Sequence, residues 1–358
     1  MRIPLSKPVF NDEMKEAAID ALQNEFFVLG ESVYKFEEEF ARYTGSKYAV
    51  SVNSGTAALS LSLQAMGINK GDRILTTSTS FVATSNAIIH AGGVPVFSDI
   101  NPTTGGIELH SLGDIKNIRG IIPVHLYGNP VKMDEILKLK EKNNIFVIED
   151  SCQAHGARHN GKMVGTFGDV GAFSFYSTKN MTVAGDGGMI VTDNEEIAEK
   201  IKVLRNCGRE KGKKYTHSMI GYTARLNTVN AAIGRVQLRH LDEWNERRRH
   251  IASLYRRYLP ENMVLKDNDY NVYHLFVIKS HKRDKIAERL GKEGIQTGIH
   301  YPIPIPLQKI YRELFGYHEG MFPQAEKFSK EILSIPMFPE LKDDEVRHIC
   351  EIINEVIE

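Results

Sequence analysis

From Tyr48 to Leu204 the chain alternates short apolar runs with longer stretches of helical period, and that rhythm limits the fold more than any other feature. Tyr48–Val52, Arg73–Thr76, Val94–Phe97, Ile118–Val124 and Ile145–Ile148 each read as a buried strand. Between them Ala58–Met66, Phe81–Ala91 and Met133–Asn143 read as helices. Two more strands, Val170–Phe175 and Met189–Thr192, precede a helix over Glu195–Leu204. This alternation predicts an α/β fold with a mostly parallel sheet covered by helices on both faces. Such sheets bind ligands at the carboxyl ends of their strands. Ser54-Gly55, Glu149-Asp150 and the Ser174–Lys179 stretch all lie at such ends, so these distant segments can converge.

The flanks differ. Met14–Leu22 reads as helix and is followed by an apolar stretch, Phe26-Phe-Val-Leu-Gly30, which suits either a subunit contact or a site lining. Val33–Tyr43 is an amphipathic helix with Phe36 and Phe40 on one face. Asn227–Tyr258 reads as one or two long helices. A strand at His274–Lys279, a helix at Arg283–Glu293 and the segment Ile295–His300 then form a smaller α+β unit. The expected division is 1–250 for a large domain with its N-terminal segment and 251–358 for a small one. Lys plus Arg equals Asp plus Glu at 45 each, so no net field points to nucleic acid or an acidic membrane surface. No run of about 18 apolar residues is available to span a bilayer. Three scattered cysteines fit neither a disulfide framework nor a zinc site. No metal site is expected, and the start of the chain has no apolar core like that of a signal peptide. The expectation is a cytoplasmic enzyme or binding protein.

The chemistry centres on Lys179. It follows a buried strand that ends near Ser174, and Gly185-Asp-Gly-Gly188 then turns the chain back. A lysine held beside a hydroxyl and a glycine turn suits a Schiff-base cofactor site; the bland alternative is a solvated loop lysine. Ser54-Gly-Thr-Ala57 opens a helix directly after a strand, which makes either a phosphate site or a plain helix cap. Asp150 ends an apolar strand, where an unpaired carboxylate is costly. It reads as the partner of a protonated pyridine nitrogen, or as a cap or buried ion pair. Cys152 would lie against a ring face, Gln153 could donate to a ring hydroxyl, and Phe81 could stack on the other face or belong to the core. The set, with Lys179 following Asp150 by 29 positions, is the logic of a pyridoxal phosphate enzyme.

The sequence resembles the DegT/DnrJ/EryC1/StrS family of pyridoxal-phosphate-dependent sugar aminotransferases. The resemblance rests on Phe36-Glu-Glu-Glu-Phe40, Ser54-Gly-Thr-Ala57, Ser80-Phe-Val-Ala-Thr84, Pro95-Val-Phe97 and Pro123-Val-His125. It continues through Glu149-Asp-Ser-Cys-Gln-Ala-His-Gly-Ala157, Phe173-Ser-Phe-Tyr-Ser-Thr-Lys-Asn180, Gly221-Tyr-Thr-Ala-Arg-Leu226, His300-Tyr-Pro302 and Ser334-Ile-Pro-Met337. It implies fold type I (aspartate aminotransferase-like) with a mostly parallel seven-stranded sheet and a smaller C-terminal α+β domain. It also implies pyridoxal 5′-phosphate as cofactor and a homodimer with shared active sites. Lys179 is then the Schiff-base lysine and proton shuttle, Asp150 the partner of the ring nitrogen and Gln153 a contact of the ring hydroxyl. Thr56 and Ala57 give backbone donors to the phosphate, Ser174 gives its hydroxyl, and Phe81 stacks on the ring. A residue of the Gly221–Leu226 motif reaches the phosphate across the dimer; the family commonly has Asn where Thr223 stands here, and Asn227 is the possible substitute. Pro306 stands where many relatives have histidine, and Cys152 where alanine is usual.

The implied reaction moves an amino group from L-glutamate to a keto-sugar of a nucleoside-diphosphate sugar, for amino-sugar or surface polysaccharide synthesis. Gln153-Ala-His-Gly156 and Gly298-Ile-His-Tyr-Pro302 favour amination at C3 over C4, with dTDP and UDP both open. Arg225 is a candidate for the donor carboxylate or the sugar diphosphate, or an ordinary structural arginine. The rivals are a sugar dehydratase with the same cofactor, which would carry histidine in place of Lys179, and a regulatory protein that binds the cofactor without turnover.

Overall fold

A computed structural model of the chain describes residues 2–109 and 117–358. In order, α1 (Asp12–Asn24) and α2 (Glu31–Thr44) lead into β1 (Tyr48–Val52), α3 (Gly55–Ala65), β2 (Arg73–Thr77), α4 (Ala83–His90) and β3 (Val94–Ser98). Next come β4 (Ile118–Ile122), α5 (Met133–Asn143), β5 (Phe146–Asp150) and a small hairpin of β6 (Arg158–His159) and β7 (Lys162–Met163). Then β8 (Val170–Ser174), β9 (Gly188–Thr192), α6 (Glu195–Leu204) and α7 (Thr228–Tyr258) complete the larger part. The C-terminal part holds β10 (Phe276–Lys279), α8 (Arg283–Lys292), α9 (Lys309–Phe315), α10 (Pro323–Glu331), β11 (Ile332–Ile335) and α11 (Asp343–Ile357).

The seven large-sheet strands lie in the order β1-β9-β8-β5-β4-β2-β3. β9 alone runs against its neighbours, pairing antiparallel with both β1 and β8; the remaining pairs are parallel. The mostly parallel seven-stranded sheet is therefore present. Antiparallel neighbours need no helical crossover, so β8 and β9 are joined by a loop, and this loop carries Lys179.

Strand side chains alternate between two cores because the pleat has period two. Val50, Ala172 and Ile190 pack with Leu59 and Leu63 of α3, Ile88 of α4 and Ile201 of α6. Their neighbours Ala49, Phe173, Met189 and Val191 pack on the opposite face with Phe36 and Phe40 of α2 and Leu241 of α7. At the far end Val147 and Ile121 meet Met133 and Ile136 of α5.

The expected long helical segment is one 31-residue helix, α7. Its later residues Ile251 and Tyr255 enter a separate core with Phe276, Ile278, Leu333 and Ile353. Ile3 joins that core and is hydrogen-bonded between Gly294 and Gln296, while Met337 N donates to Leu5 O at 3.0 Å. Several expected boundaries move by two or three residues, and one has a local cause. Phe81 lies outside α4, which starts at Ala83: the hydroxyl-rich Thr77–Ser80 stretch bonds locally and competes with helix. No helix among the described residues is long and apolar enough to cross a membrane.

Candidate active site

The carboxyl ends of β1, β8 and β5 share one edge of the sheet, within four neighbouring strands. They open on a cavity of about 530 Å³, within the range of small-molecule sites. Its lining brings together Gly55, Thr56, Phe81, Asp150, Cys152, Gln153, Ser174 and Lys179. The small C-terminal part contributes His300 and Tyr301, and the segment just before it contributes His274. Leu5 and Ser6 reach the same space from the N-terminus.

Each group is held by a nameable cause. Ser54 caps α3, its hydroxyl accepting the Ala57 N–H at 3.1 Å. Ala57 was expected to aim that N–H at a phosphate and instead gives it to the cap. The N–H groups without an acceptor among the described residues are those of Gly55 and Thr56, as the first turn of any helix leaves them. This turn packs on β9 only because position 188 is glycine: a Cβ there would lie 2.4 Å from Ser54 O. Gly55 is equally constrained, since its Cβ would meet Ser174 Cβ at 2.7 Å and Cys152 Sγ at 3.0 Å. The result is an anion cradle of two backbone donors with the Ser174 hydroxyl beside it.

Asp150 is 4% exposed. Thr84 Oγ1 donates to its Oδ2 at 2.7 Å, and Cys152 N donates to Oδ1 at 3.2 Å. Ser80 Oγ lies 3.0 Å from Thr84 Oγ1, extending the chain of hydroxyls. Gln153 Oε1 accepts from Tyr127 N at 2.7 Å, which turns the amide nitrogen toward the cavity and Tyr301 OH at 3.3 Å. Phe81, 53% exposed, stands at the cavity with its ring centroid 5.9 Å from that of Tyr301.

The Lys179 loop is pinned from behind. Buried Asn180 donates to Asn245 Oδ1 of α7 and to Val272 O, both at 2.8 Å. Gln237 of α7 accepts the Thr182 N–H at 3.1 Å. Lys179 Nζ makes no hydrogen bond or ion pair among the described residues. Burial pushes its pKa below the usual lysine range, with Cys152 and the Asp150 carboxylate pulling the other way. The donor set fits a phosphorylated pyridine aldehyde: a free amine, a buried carboxylate for the ring nitrogen, an amide for the ring hydroxyl and an anion cradle.

Thr223 and Asn227 are not brought into this cavity. Both are exposed. Thr223 Oγ1 lies 3.3 Å from Cys207 Sγ, and Asn227 Oδ1 caps α7 by accepting from Asn230 N at 2.8 Å. Arg225 bonds to Asn206 Oδ1 at 2.6 Å, also outside the lining. Phe26–Gly30 does not line it either. Sequence reasoning alone does not single out Thr84, Tyr127, His274, Tyr301 or the Leu5–Ser6 segment. Thr84 and Tyr301 do sit in the Ser80–Thr84 and His300–Pro302 motifs, but contacts across 66 and 148 positions leave no local trace.

The sequence pattern of the DegT/DnrJ/EryC1/StrS aminotransferase family matches residues 8–354. The chain belongs to this family. The aminotransferase is 40% identical over 352 residues, 96% of this chain and 94% of the relative, to a protein of Geobacillus stearothermophilus named pleiotropic regulatory protein. It is 37% identical to the UDP-N-acetyl-3-dehydro-alpha-D-glucosamine 3-aminotransferase of Acidithiobacillus ferrooxidans, over 97% of this chain and 94% of the relative. Among solved structures it resembles S. venezuelae DesV in complex with a ketimine intermediate. That match has a TM-score of 0.92 and 34% identity, covering 97% of this chain and 95% of DesV. The fold is that of the pyridoxal-phosphate sugar aminotransferases. The protein is a transaminase, and its cofactor is pyridoxal 5′-phosphate.

Proposed function

We propose that this transaminase moves an amino group from L-glutamate to the keto carbon of a nucleoside-diphosphate sugar, at C3, in amino-sugar or surface polysaccharide synthesis. The observation that carries the proposal is the convergence on one cavity of a partnerless Lys179, a fixed Asp150 and the cradle at Gly55, Thr56 and Ser174. The name of the A. ferrooxidans relative supports a nucleotide sugar and position C3.

When bound, the cofactor supplies an aldehyde to receive the amino group and a ring that delocalises the electrons left at the substrate carbon. The residues do the rest. Gly55 N, Thr56 N and Ser174 Oγ hold the phosphate. Asp150, held by Thr84 and the Cys152 N–H, faces the ring nitrogen and keeps it protonated. Gln153 Nε2 donates to the ring hydroxyl, and Phe81 covers one ring face. Lys179, favoured as the neutral amine by burial, takes the proton from the donor's α-carbon and returns it one position away.

The proposed working unit is a homodimer with shared sites. Phe26, Phe27 and Val28 support it: they are large apolar side chains, Phe26 85% exposed, and Val28 bridges to Asn227. Thr223 or Asn227 would then reach the phosphate of the other copy. The proposed domains are 1–250 and 251–358, meeting within α7. The proposed setting is the cytoplasm, which suits three free cysteines.

The test is the visible spectrum. Addition of L-glutamate should remove the yellow band of the lysine-bound cofactor, and the right keto-sugar nucleotide should restore it. A band indifferent to L-glutamate would refute the donor. Lys179→Ala should abolish transamination and keep the assembly; turnover at the parental rate would refute the role of Lys179. The name of the G. stearothermophilus relative favours one second reading, a regulator that binds the cofactor without turnover. Absence of turnover with every amino donor and keto-sugar tried, despite an intact band, would select it.

A further inference from the structure

His274 is a buried histidine for which the proposed reaction has no use. It is 5% exposed, yet it lines the active-site cavity. Its Nδ1 is sealed from solvent without a partner, and neither ring nitrogen is hydrogen-bonded among the described residues. A buried imidazole without partners is costly, so its persistence calls for a cause.

The backbone is built to put it there. Tyr273, just before it, holds a left-handed conformation at φ 44°, which a non-glycine residue adopts only under constraint. Three contacts impose it. Asn271 Oδ1 accepts the Tyr273 N–H at 2.8 Å, Asp267 Oδ2 accepts the Tyr273 hydroxyl at 2.7 Å, and Arg248 donates to Tyr273 O at 3.2 Å. Arg248 is itself buried, makes no ion pair among the described residues, and donates to Tyr273 O and Met337 O. Strain and a buried guanidinium are thus both committed to the chain that presents His274.

Lys179 lines the same cavity and, among the described residues, is also without a partner. Of the three imidazoles that the Lys179 charge disfavours in protonated form, His300 pairs its Nδ1 with Ser334 Oγ at 2.9 Å, and His155 lies against Phe173 and Phe175, outside the lining. Among the described residues, His274 is the one of the three that both lacks a partner and lines the cavity. Burial first, then the charges of Lys179 and Arg248, hold it well below the ordinary histidine range, so it is a neutral acceptor at neutral pH.

We infer that His274 is a positioning residue for Lys179: its imidazole accepts a hydrogen bond from Nζ once an incoming amine has displaced the lysine from the cofactor. The inference rests on Lys179 being the cofactor-linked lysine. In the exchange, the nitrogen of the incoming amine bonds to the imine carbon and the bond from that carbon to Lys179 Nζ breaks. No oxidation occurs, and the lysine leaves as a free amine. While linked to the cofactor, Nζ needs no other partner. Once free it must be held near the reacting carbon, and His274 offers the acceptor.

The test needs no substrate. Methylamine, a simple primary amine, is titrated against the holoenzyme while the visible band of the linked cofactor is followed. His274→Phe keeps a ring of similar size without nitrogen. It should raise the methylamine concentration for half-displacement about tenfold, because the released lysine loses its acceptor. His274→Gln, with an amide oxygen near the position of Nε2, should restore most of the difference. An unchanged midpoint in His274→Phe with the band intact would overturn the inference and leave the cofactor assignment standing. Absence of the band in the parent protein would overturn the Lys179 linkage and the inference together. If His274→Phe fails to fold, the imidazole 15N resonances of His274 in the parent protein decide. They should move when methylamine displaces the lysine, and unmoved resonances would overturn the inference.

Discussion

Replacing Glu149 by glutamine removes a charge and changes one oxygen to an amide nitrogen, in a setting that accepts neither change. Glu149 is fully buried beside Asp150 at the end of β5. Its Oε1 accepts from Phe167 N at 2.6 Å and Gly168 N at 2.7 Å. Its Oε2 accepts from Gly165 N at 2.8 Å and faces His125 Nε2 at 3.1 Å. His125 Nδ1 accepts from Val131 N at 3.0 Å, so Nε2 carries the ring proton. In Glu149→Gln the new NH2 faces either Phe167 N and Gly168 N or Gly165 N and His125. The histidine can change tautomer only by stranding Val131 N. Every arrangement leaves at least two donors unsatisfied, buried at Gly165, His125 and Val131 and part-buried at Phe167 and Gly168, at about 1–3 kcal/mol each, so the loss should be about 2–6 kcal/mol. The Gly165–Gly168 turn also covers β8, where a Cβ at Gly171 would lie 2.1 Å from Gly165 O, so the Lys179 side of the site should loosen with it. Guanidinium unfolding, followed by circular dichroism and by the cofactor band, measures both effects. Exposed Glu141→Gln serves as control and should stay within about 0.5 kcal/mol of the parent. A Glu149→Gln protein as stable as that control would refute the accounting.

Other outcomes are equally specific. Thr84→Val removes the 2.7 Å donor to Asp150 and should lower kcat about ten- to hundredfold, the worth of a hydrogen bond to a charged group; Thr84→Ser should recover most of it, and an equally impaired serine variant would assign the effect to packing. Gly55→Ala places a methyl group 2.7 Å from Ser174 Cβ and should cost about 1–3 kcal/mol and weaken the Kd for the cofactor, read by titrating apoprotein; unchanged affinity would refute the cradle. Burial, then Lys179, pushes the His155 pKa down to about 3 from an ordinary 6.5. The unfolded chain therefore binds a proton between those values that the folded chain refuses, so stability falls as pH drops from 6.5 toward 3, by at most about 1.4 kcal/mol per pH unit from this group. His155→Asn should flatten that part of the stability profile, and an unchanged acid slope would refute the assignment.

The residues explain how much was legible. Strand and helix periods are local, so β1, β4, β8, α5 and α6 could be read to within two residues of their ends. Their carboxyl ends could then be aligned, because parallel strands joined by crossover helices present those ends on one edge. Lys179, Asp150, Gln153, Phe81, Thr56 and Ser174 could be named because each sits in a short run of distinctive chemistry. The start of α4 was misplaced because side-chain hydroxyls compete with helix only through their actual partners. Whether the Ala57 N–H serves the Ser54 cap or stays free for a phosphate is settled by geometry, which the sequence does not carry.

The sequence by itself determined the layered α/β architecture and the family and singled out Lys179 as the candidate Schiff-base lysine, since all three rest on periodicity and contiguous motifs. The tertiary structure alone decided who holds those groups in place. It set Thr84 on Asp150, Tyr127 and Tyr301 on Gln153, α7 behind the Lys179 loop, and both the N-terminal Leu5–Ser6 and His274 at the cavity that Lys179 lines. These contacts join residues tens to hundreds of positions apart, and a pairing at that range exists only once the chain has packed.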